Sequence, residues 1–378
     1  MKIAYTAGMM REGFDGVTRV LYKWNENLCR KGIEHIFISA DIPKASEQSV
    51  PMYEVHSVPF PLYKDYRVAV PTAKKFDAVL DSFKPDIIHF NSPCPLAYAA
   101  LKYGRKHDIP VVSTYHTHFV SYATYYKLSA LTEACWRLYH KLYGGCAQVY
   151  VPSLAIKDEL SKGGLTNLIY LPHGVDTEKF NPGYFSNQWK IQIGATDTFV
   201  ALYAGRLVWE KDVHLLPQIS EALRRKYDRV KFVLAGDGPA RTELEKRMPD
   251  AVFLGHLSSQ HLAQAYASSD VLVFPSRTET FGNVTLEAMA CGTVPICAAA
   301  GGAQDLIING INGFSPSPGD VNGFVRAIEH VMYHPNRRAK LVENAFHFAQ
   351  EQSWEAIIDR LLRCYSVATG ASSANAAA

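Results

Sequence analysis

Apolar residues in this chain fall into short unbroken runs, separated by stretches where they recur every three or four positions. Runs without polar alternation are what strands buried on both faces of a parallel sheet look like, and the stretches between them read as amphipathic helices. Ile3 to Thr6 is the first run, followed by a glycine-containing loop from Gly8 to Gly16 and a helix from about Val17 to Arg30, which Gly32 ends. Ile36 to Ser39 is the next strand. A looser stretch follows, punctuated by Pro51, Pro59, Pro61 and Pro71, and then a helix from about Ala73 to Phe83. Ile87 to Phe90, Val111 to Tyr115, Val149 to Pro152 and Leu168 to Leu171 continue the strand series.

The alternation pauses at Pro172-His173-Gly174-Val175-Asp176 and a polar stretch through Asp197. It restarts with a strand at Phe199 to Tyr203, a helix from about Val213 to Tyr227, and strands at Lys231 to Ala235, Val252 to Leu254, Val271 to Phe274 and Val294 to Ala298. Two consecutive sets of β-α alternation predict an α/β protein of two doubly wound, Rossmann-like domains, residues 1–182 and 183–353, joined near 175–197. A last helix is expected from about Trp354 to Val367, and residues 369–378, rich in Gly, Ser and Ala, read as a disordered tail. Ligands of open α/β sheets bind beyond the carboxyl ends of the strands, so two such domains facing each other would form a cleft.

Composition narrows the class. A chain of 378 residues with 48% hydrophobic and 20% charged residues is long enough for two cores and ordinary for a globular protein. A net charge of +3 gives no argument for nucleic acid. Seven scattered cysteines without a CxxC pair suggest neither a zinc ribbon nor a disulfide framework, and favour a reducing, cytoplasmic setting. The N-terminus enters a strand at once, so no signal peptide is expected. No apolar run approaches the roughly 20 residues of a membrane span, which leaves surface contact with a membrane open.

The candidate chemistry follows strands. After Val271 to Phe274 the chain reads Ser276-Arg277-Thr278-Glu279-Thr280-Phe281-Gly282-Asn283-Val284-Thr285-Leu286-Glu287, with the two glutamates eight residues apart. The second lies on a small-residue helix that Gly292 stops. An open helix N-terminus suits phosphate, because its first amides lack partners and its dipole favours negative charge. Flanking carboxylates suit hydroxyl groups. Eight helical residues span roughly 12 Å, too far for an acid–nucleophile pair across a glycosidic bond, so two separate hydroxyl contacts are favoured. Glu287 alone also fits a first-turn glutamate complementing the helix dipole.

Gly205, Arg206 and Lys211 follow the strand at 199–203. They read either as a basic surface or as cations neutralising a diphosphate. Gly236, in Ala235-Gly236-Asp237-Gly238-Pro239, is a turn glycine or part of a ligand loop. Gly16, after Phe14-Asp15, opens a helix and would let backbone amides approach a phosphate. His116 and His118, in Tyr115-His116-Thr117-His118, point the same way if the chain stays extended. With no third ligand in view they suit substrate hydrogen bonds better than metal. Between Phe119 and Tyr143, Leu128, Leu131, Cys135, Leu138 and Leu142 share helical spacing expected of core. Trp136, Tyr139 and Tyr143 form an adjacent aromatic stripe, fit either for packing or for a membrane interface.

In this order, the residues resemble the retaining GT-B glycosyltransferases of family 4. The likeness covers nearly the whole chain, from Gly16-Val17 through Tyr115-His116-Thr117, Pro172-His173-Gly174-Val175-Asp176, Gly205-Arg206-Leu207 with Lys211, and Gly236-Asp237-Gly238 to Glu279, Phe281-Gly282 and Glu287. Asp15-Gly16-Val17-Thr18, Val58-Pro59-Phe60-Pro61-Leu62-Tyr63 and Thr280 to Val284 look like the branch with GDP-mannose-dependent α-mannosyltransferases and sulfoquinovosyl-diacylglycerol synthases. Asp15, where that branch often has Asn, and His118, where Asp or Asn is common, depart from it.

The resemblance implies a hexosyltransferase using a nucleotide diphosphate sugar, with no metal or other cofactor, acting on a hydroxyl acceptor, many relatives using lipid carriers at the cytosolic membrane face. It implies that Gly16 approaches the leaving diphosphate, and that Arg206 and Lys211 bind it. Glu279 would hold donor-sugar hydroxyls and Glu287 the ribose, while Phe281, Gly282, Asn283 and Val284 offer backbone amides. His116 would lie near donor sugar and acceptor. Asp15, His118, Tyr122 and Tyr126 fall on the acceptor side. The helix at 354–368 would cross back onto the first domain. The absence of any Asp-x-Asp sets the chain apart from metal-dependent GT-A enzymes. A sugar-nucleotide 2-epimerase shares the fold expectation. A dinucleotide-dependent oxidoreductase is disfavoured, because Ala7-Gly8-Met9-Met10-Arg11-Glu12-Gly13 lacks the G-x-G-x-x-G fingerprint.

Overall fold

The computed structural model describes residues 1–11, 16–60, 63–116 and 129–370. The chain divides into two compact units, Met1–Pro172 with Trp354–Ala378, and His173–Ser353. The division therefore falls at Pro172/His173 rather than at 182, because Val175 and Phe180 are buried in the second unit's core.

Unit one is built on strands β1 (Lys2–Ala7), β2 (Glu34–Ser39) and β3 (Met52–Glu54), a hairpin of β4 (Ser57–Phe60) and β5 (Tyr63–Ala69), then β6 (Ile87–Phe90), β7 (Val111–Thr114), β8 (Gln148–Val151) and β9 (Leu168–Tyr170). Seven of these form one parallel sheet in the order β3-β2-β1-β6-β7-β8-β9. The chain starts at β1, builds outward to β3, then returns to the other side of β1 with β6. The switch point between β1 and β6 is where such sheets place ligands.

The inner strands β1, β2, β6, β7 and β8 are buried on both faces, as unbroken apolar runs require, while the edge strands β3 and β9 are partly exposed. One face packs Ala4, Ile88 and Phe90 with Phe76, Leu80, Leu96 and Ala100 of the helices Ala73–Phe83 and Pro95–His107. The other packs Ile3 and Tyr5 with Leu21, Trp24 and Leu28 of the helix Gly16–Arg30. The last helix, Trp354–Ala368, adds Ile357, Ile358, Leu361 and Tyr365 to that second core.

Two sequence expectations change here. The proline-punctuated stretch contains β3 and the antiparallel β4–β5 hairpin, where Ser57 pairs with Ala69. Pro59 fits because this two-stranded ribbon has free edges, and an edge strand does not need every amide as a donor. In the helix Ser129–Leu142 the expected core positions Leu142 and Cys135 do pack inside, but Leu138 is 42% exposed and the aromatic stripe takes its place. Tyr139 and Tyr143 are both 1% exposed, with Tyr115 Oη donating to Tyr139 Oη at 3.2 Å. Trp136 covers the bare backbone of Gly163, where a Cβ would stand 2.1 Å from its ring. These rings meet edge to face, and such pairs gain about 0.5–1.5 kcal/mol each beyond the area they bury, which favours the aromatic face over Leu138 in the interior. The stripe is thus spent on packing. Leu128, Leu131 and the tail beyond Gly370 lie outside what can be compared. Among the described residues no helix is long and apolar enough to cross a membrane.

Unit two contains β10 (Phe199–Ala204), β11 (Val230–Ala235), β12 (Val252–Gly255), β13 (Val271–Phe274) and β14 (Val294–Cys297), parallel and ordered β12-β11-β10-β13-β14. Helices Leu215–Arg224, Asn283–Ala290, Val321–Tyr333 and Pro335–Glu351 supply core side chains such as Leu216, Leu286, Phe324 and Leu341. Asp270, 9% exposed, accepts from the Val200 amide at 2.6 Å and pairs with Arg338, tying the start of β10 to the helix Pro335–Glu351. The switch point here lies between β10 and β13.

Candidate functional site

Parallel register decides which loops meet in unit two. β11, β10 and β13 are adjacent, so the loops after Ala235, Ala204 and Phe274 emerge side by side at one sheet edge. The first two interlock through backbone: Gly205 N donates to Ala235 O at 2.9 Å, and Leu207 N to Asp237 O at 2.9 Å. Gly236 has φ +137°, and a Cβ there would stand 1.9 Å from Gly205 O, so glycine is needed for this approach. Tyr203 Oη donates to Arg206 O at 2.9 Å, fixing the backbone on which the exposed Arg206 side chain stands. No ion pair of Arg206 occurs among the described residues.

Lys211, in the short turn Trp209–Lys211, reaches across the switch point to Glu279, with Nζ 2.5 Å from Oε1. The ammonium also lies 5.7 Å from the centre of the Phe274 ring, and 3.8 Å from where a Gly205 Cβ would be. Side chains of Lys211 and Glu279 are only 22% and 19% exposed, so this pair is better shielded from water than a surface salt bridge. A second bridge holds the same two loops together. Arg277 donates to both carboxylate oxygens of Asp212, at 2.7 and 3.0 Å, and Thr278 Oγ1 donates to Glu210 O at 3.0 Å.

Glu279 is backed by the turn that follows β14. Gly302 N donates to Glu279 O at 2.7 Å, and a Cβ on Gly301, with φ +59°, would stand 2.6 Å from that same oxygen. The helix Asn283–Ala290 begins at Gly282, whose φ of 97° turns the chain sharply, and no side chain caps it. Its first amides, at Asn283 and Val284, point beyond the helix start without intrahelical acceptors. Phe281 is 2% exposed, so its ring belongs to the interior of the unit. His173 completes this edge: its ring lies 4.9 Å from that of Phe281, and Nδ1 is 3.3 Å from Asn283 Oδ1. Burial pushes the His173 pKa down to about 4, so the ring is neutral near pH 7. Glu287, one helical turn further in, accepts from Tyr266 Oη at 3.1 Å.

In unit one, Gly16 is exposed at the first position of the helix Gly16–Arg30 and a Cβ there would meet nothing within 4 Å. His116 follows β7, and its Nε2 is 3.1 Å from Asn91 Oδ1. Asp15, His118, Tyr122 and Tyr126 lie outside the described residues. The structure thus gathers Gly205, Arg206, Lys211, Gly236, Glu279, Phe281, Gly282, Asn283, Val284 and Glu287 within unit two, while Gly16 and His116 belong to unit one.

Sequence reading passed over the Arg277–Asp212 clamp, Gly301-Gly302, Tyr266 and Asn91. The glycine pair was a visible signal. The others are residue types common everywhere, and only the fold brings them to their partners. Taken as chemistry, unit two offers two cations, uncapped helix amides and two held carboxylates at one switch point. That set suits a polyphosphate with hydroxyl-rich groups at either end. Among the described residues no group of three His, Cys, Asp or Glu could hold a metal ion.

Known proteins resemble this chain in sequence and in fold. Residues 14–179 match the model for "Glycosyltransferase Family 4" and residues 186–348 that for "Glycosyl transferases group 1". A GDP-mannose-dependent alpha-mannosyltransferase of Corynebacterium glutamicum is 30% identical over 97% of this chain and 89% of its own length. The sulfoquinovosyl transferase SQD2 of Arabidopsis thaliana is 34% identical over 81% of this chain, which spans 61% of that longer relative. Among solved structures, Anabaena HepE in complex with UDP superposes with a TM-score of 0.76 at 19% identity, covering 97% of this chain and all of that one. Sucrose-phosphate synthase of Thermosynechococcus elongatus gives 0.76 at 21% identity, covering 98% and 100%. Two doubly wound units of this kind make the GT-B fold. The chain belongs to glycosyltransferase family 4, group 1, and is a hexosyltransferase.

Proposed function

We propose that the protein is a retaining, metal-independent hexosyltransferase that moves mannose from GDP-mannose to a hydroxyl of a lipid or lipid-linked glycan. The observation that carries the donor assignment is the switch point of unit two. There the Lys211–Glu279 pair, 2.5 Å apart, stands beside the uncapped helix that starts at Asn283. Mannose and guanine are favoured because the mannosyltransferase relatives cover almost the whole chain.

In the reaction the acceptor oxygen forms the new bond to the sugar's anomeric carbon while the bond from that carbon to the β-phosphate oxygen breaks. Attack comes on the face from which the phosphate leaves, and the acceptor's proton passes to a phosphate oxygen. A nucleoside diphosphate is released, and the anomeric configuration is kept. Arg206 and Lys211 balance the charge that builds on the departing diphosphate, and the Asn283 and Val284 amides share it. Glu279 then turns from Lys211 toward donor-sugar hydroxyls, and Glu287 holds the ribose. Gly16 lets backbone close on the phosphate, and His116 serves the donor sugar and acceptor. No step uses a protein nucleophile. A lipid-linked acceptor would bring the protein to the cytosolic face of a membrane as a peripheral partner.

Replacing Arg206 or Glu279 by Ala is expected to lower transfer by at least about 10²-fold, the scale for removing one charge-stabilising group. Near-normal turnover by both variants would end this reading.

A further inference from the structure

Asn91 occupies the position that the topology of unit one makes special. It is the first residue after β6, and the β1–β6 boundary is the switch point of the sheet. It is 2% exposed, yet its amide is not consumed by the surrounding core. The backbone N–H of Asn91 donates to Thr6 O at 2.9 Å, which continues the β1–β6 pairing by one residue. The side-chain Nδ2 reaches the same carbonyl at 3.5 Å, and Oδ1 is 3.1 Å from His116 Nε2.

These contacts determine the amide's orientation. A backbone carbonyl can only accept, so the NH2 end of Asn91 must face Thr6, and the oxygen end must face the imidazole. An amide oxygen can also only accept. His116 Nε2 therefore carries the hydrogen, and in the neutral ring the lone pair is on Nδ1. A second restraint sets the plane of the ring: the Trp24 indole lies 6.1 Å from the His116 ring at a 52° tilt. Trp24 is itself 2% exposed and packed on Tyr5 and His89, at 5.9 and 5.2 Å, so it has no room to yield.

We propose that Asn91 is the positioning residue for His116: through its amide oxygen it selects the Nε2-protonated tautomer and holds the ring at the switch point. The inference deepens the role given to His116 above and rests on it for its catalytic consequence, but not for the tautomer. A glycosyl transfer in which a histidine contacts a developing partial charge needs one ring nitrogen as donor and the other as acceptor in fixed places. A ring free to exchange tautomers would spend part of its time with those roles reversed.

The test has one readout independent of turnover. Nitrogen-15 spectra of the imidazoles, recorded at a pH where the His116 ring is neutral, should show its proton on Nε2 in the native protein. Asn91→Leu, similar in size but without an acceptor, should populate the other tautomer and lower kcat about tenfold, the net worth of one well-placed hydrogen bond. KM for the donor should be little changed. Asn91→Asp keeps an oxygen at that place and should restore the Nε2 proton and most of kcat, which guards against a Leu variant that folds poorly. In a His116→Ala background Asn91→Leu should cost nothing further. A native His116 protonated on Nδ1, or an equal loss from Asn91→Leu with and without His116, would overturn the proposal. A native Nε2 proton together with an inactive role for His116 would instead leave the tautomer assignment standing and contradict the function assigned to that histidine.

Discussion

Gly236→Ala isolates the interlock of the two loops that support the cations. The native φ of +137° is one that residues with a side chain rarely adopt, and forcing it costs about 1–3 kcal/mol. The added Cβ would also stand 1.9 Å from Gly205 O and 2.8 Å from Gly205 C. Both are backbone atoms of a chain already hydrogen-bonded to Ala235, so no flexible side chain can swing away. Relieving such a collision costs about 1–3 kcal/mol more. Gly310→Ala is the control: it lies in the same unit with φ +75° and nothing within 4 Å of its Cβ, so it carries conformational cost alone, about 1–2 kcal/mol. Urea unfolding of both variants should place Gly236→Ala lower than Gly310→Ala by about 1–3 kcal/mol at equal m-value. Because relief must move Gly205, and Arg206 with it, donor affinity should fall at least about tenfold in Gly236→Ala, equivalent to about 1.4 kcal/mol, and stay native in Gly310→Ala. Equal stabilities, or native donor affinity in Gly236→Ala, would refute the claim that these loops are held by direct backbone contact.

Two other outcomes follow from the hydrogen-bond geometry. Tyr266→Phe removes the 3.1 Å contact to Glu287 and should raise KM for the donor about three- to tenfold with kcat unchanged, an effect that should vanish with a donor lacking the ribose hydroxyls. His89 is fully buried, held by Tyr365 Oη at 2.5 Å and Thr114 Oγ1 at 2.9 Å, and burial lowers its pKa to about 3. A folded-state pKa below the ordinary 6.5 means the unfolded chain binds the extra proton, so this contribution is complete above pH 6.5 and lost as pH falls toward 3. Urea midpoints measured between pH 7 and 4.5, above most carboxylate titrations, should fall with pH, and less steeply in His89→Gln.

Much of the architecture was legible because buried parallel strands leave unbroken apolar runs. Ile87–Phe90 and Val271–Phe274 were bounded to the residue, as was the helix Ala73–Phe83. The β4–β5 hairpin was not, since prolines there mark both turns and edge strands, and only pairing tells them apart. Nor could hydropathy choose between two offset stripes in the helix Ser129–Leu142, where Leu138 faces water and Tyr139 the core. Site residues such as Glu279 and Lys211 stood out by following strands, yet their mutual contact spans 68 positions of sequence. Their supports were beyond the reach of pattern: Asp212 and Arg277 form an ordinary ion pair, and only the β10–β13 adjacency turns it into a clamp across the switch point.

A thermal-shift panel of nucleotides probes the donor site with the native protein. GDP-mannose at 100 times its dissociation constant should stabilise the fold by about 2.7 kcal/mol, UDP-glucose less at equal concentration and NAD not at all. Lys211→Ala should abolish most of the GDP-mannose shift. Stabilisation by NAD with none from any nucleotide sugar, or a full GDP-mannose shift in Lys211→Ala, would contradict the assignment of this switch point to a sugar diphosphate.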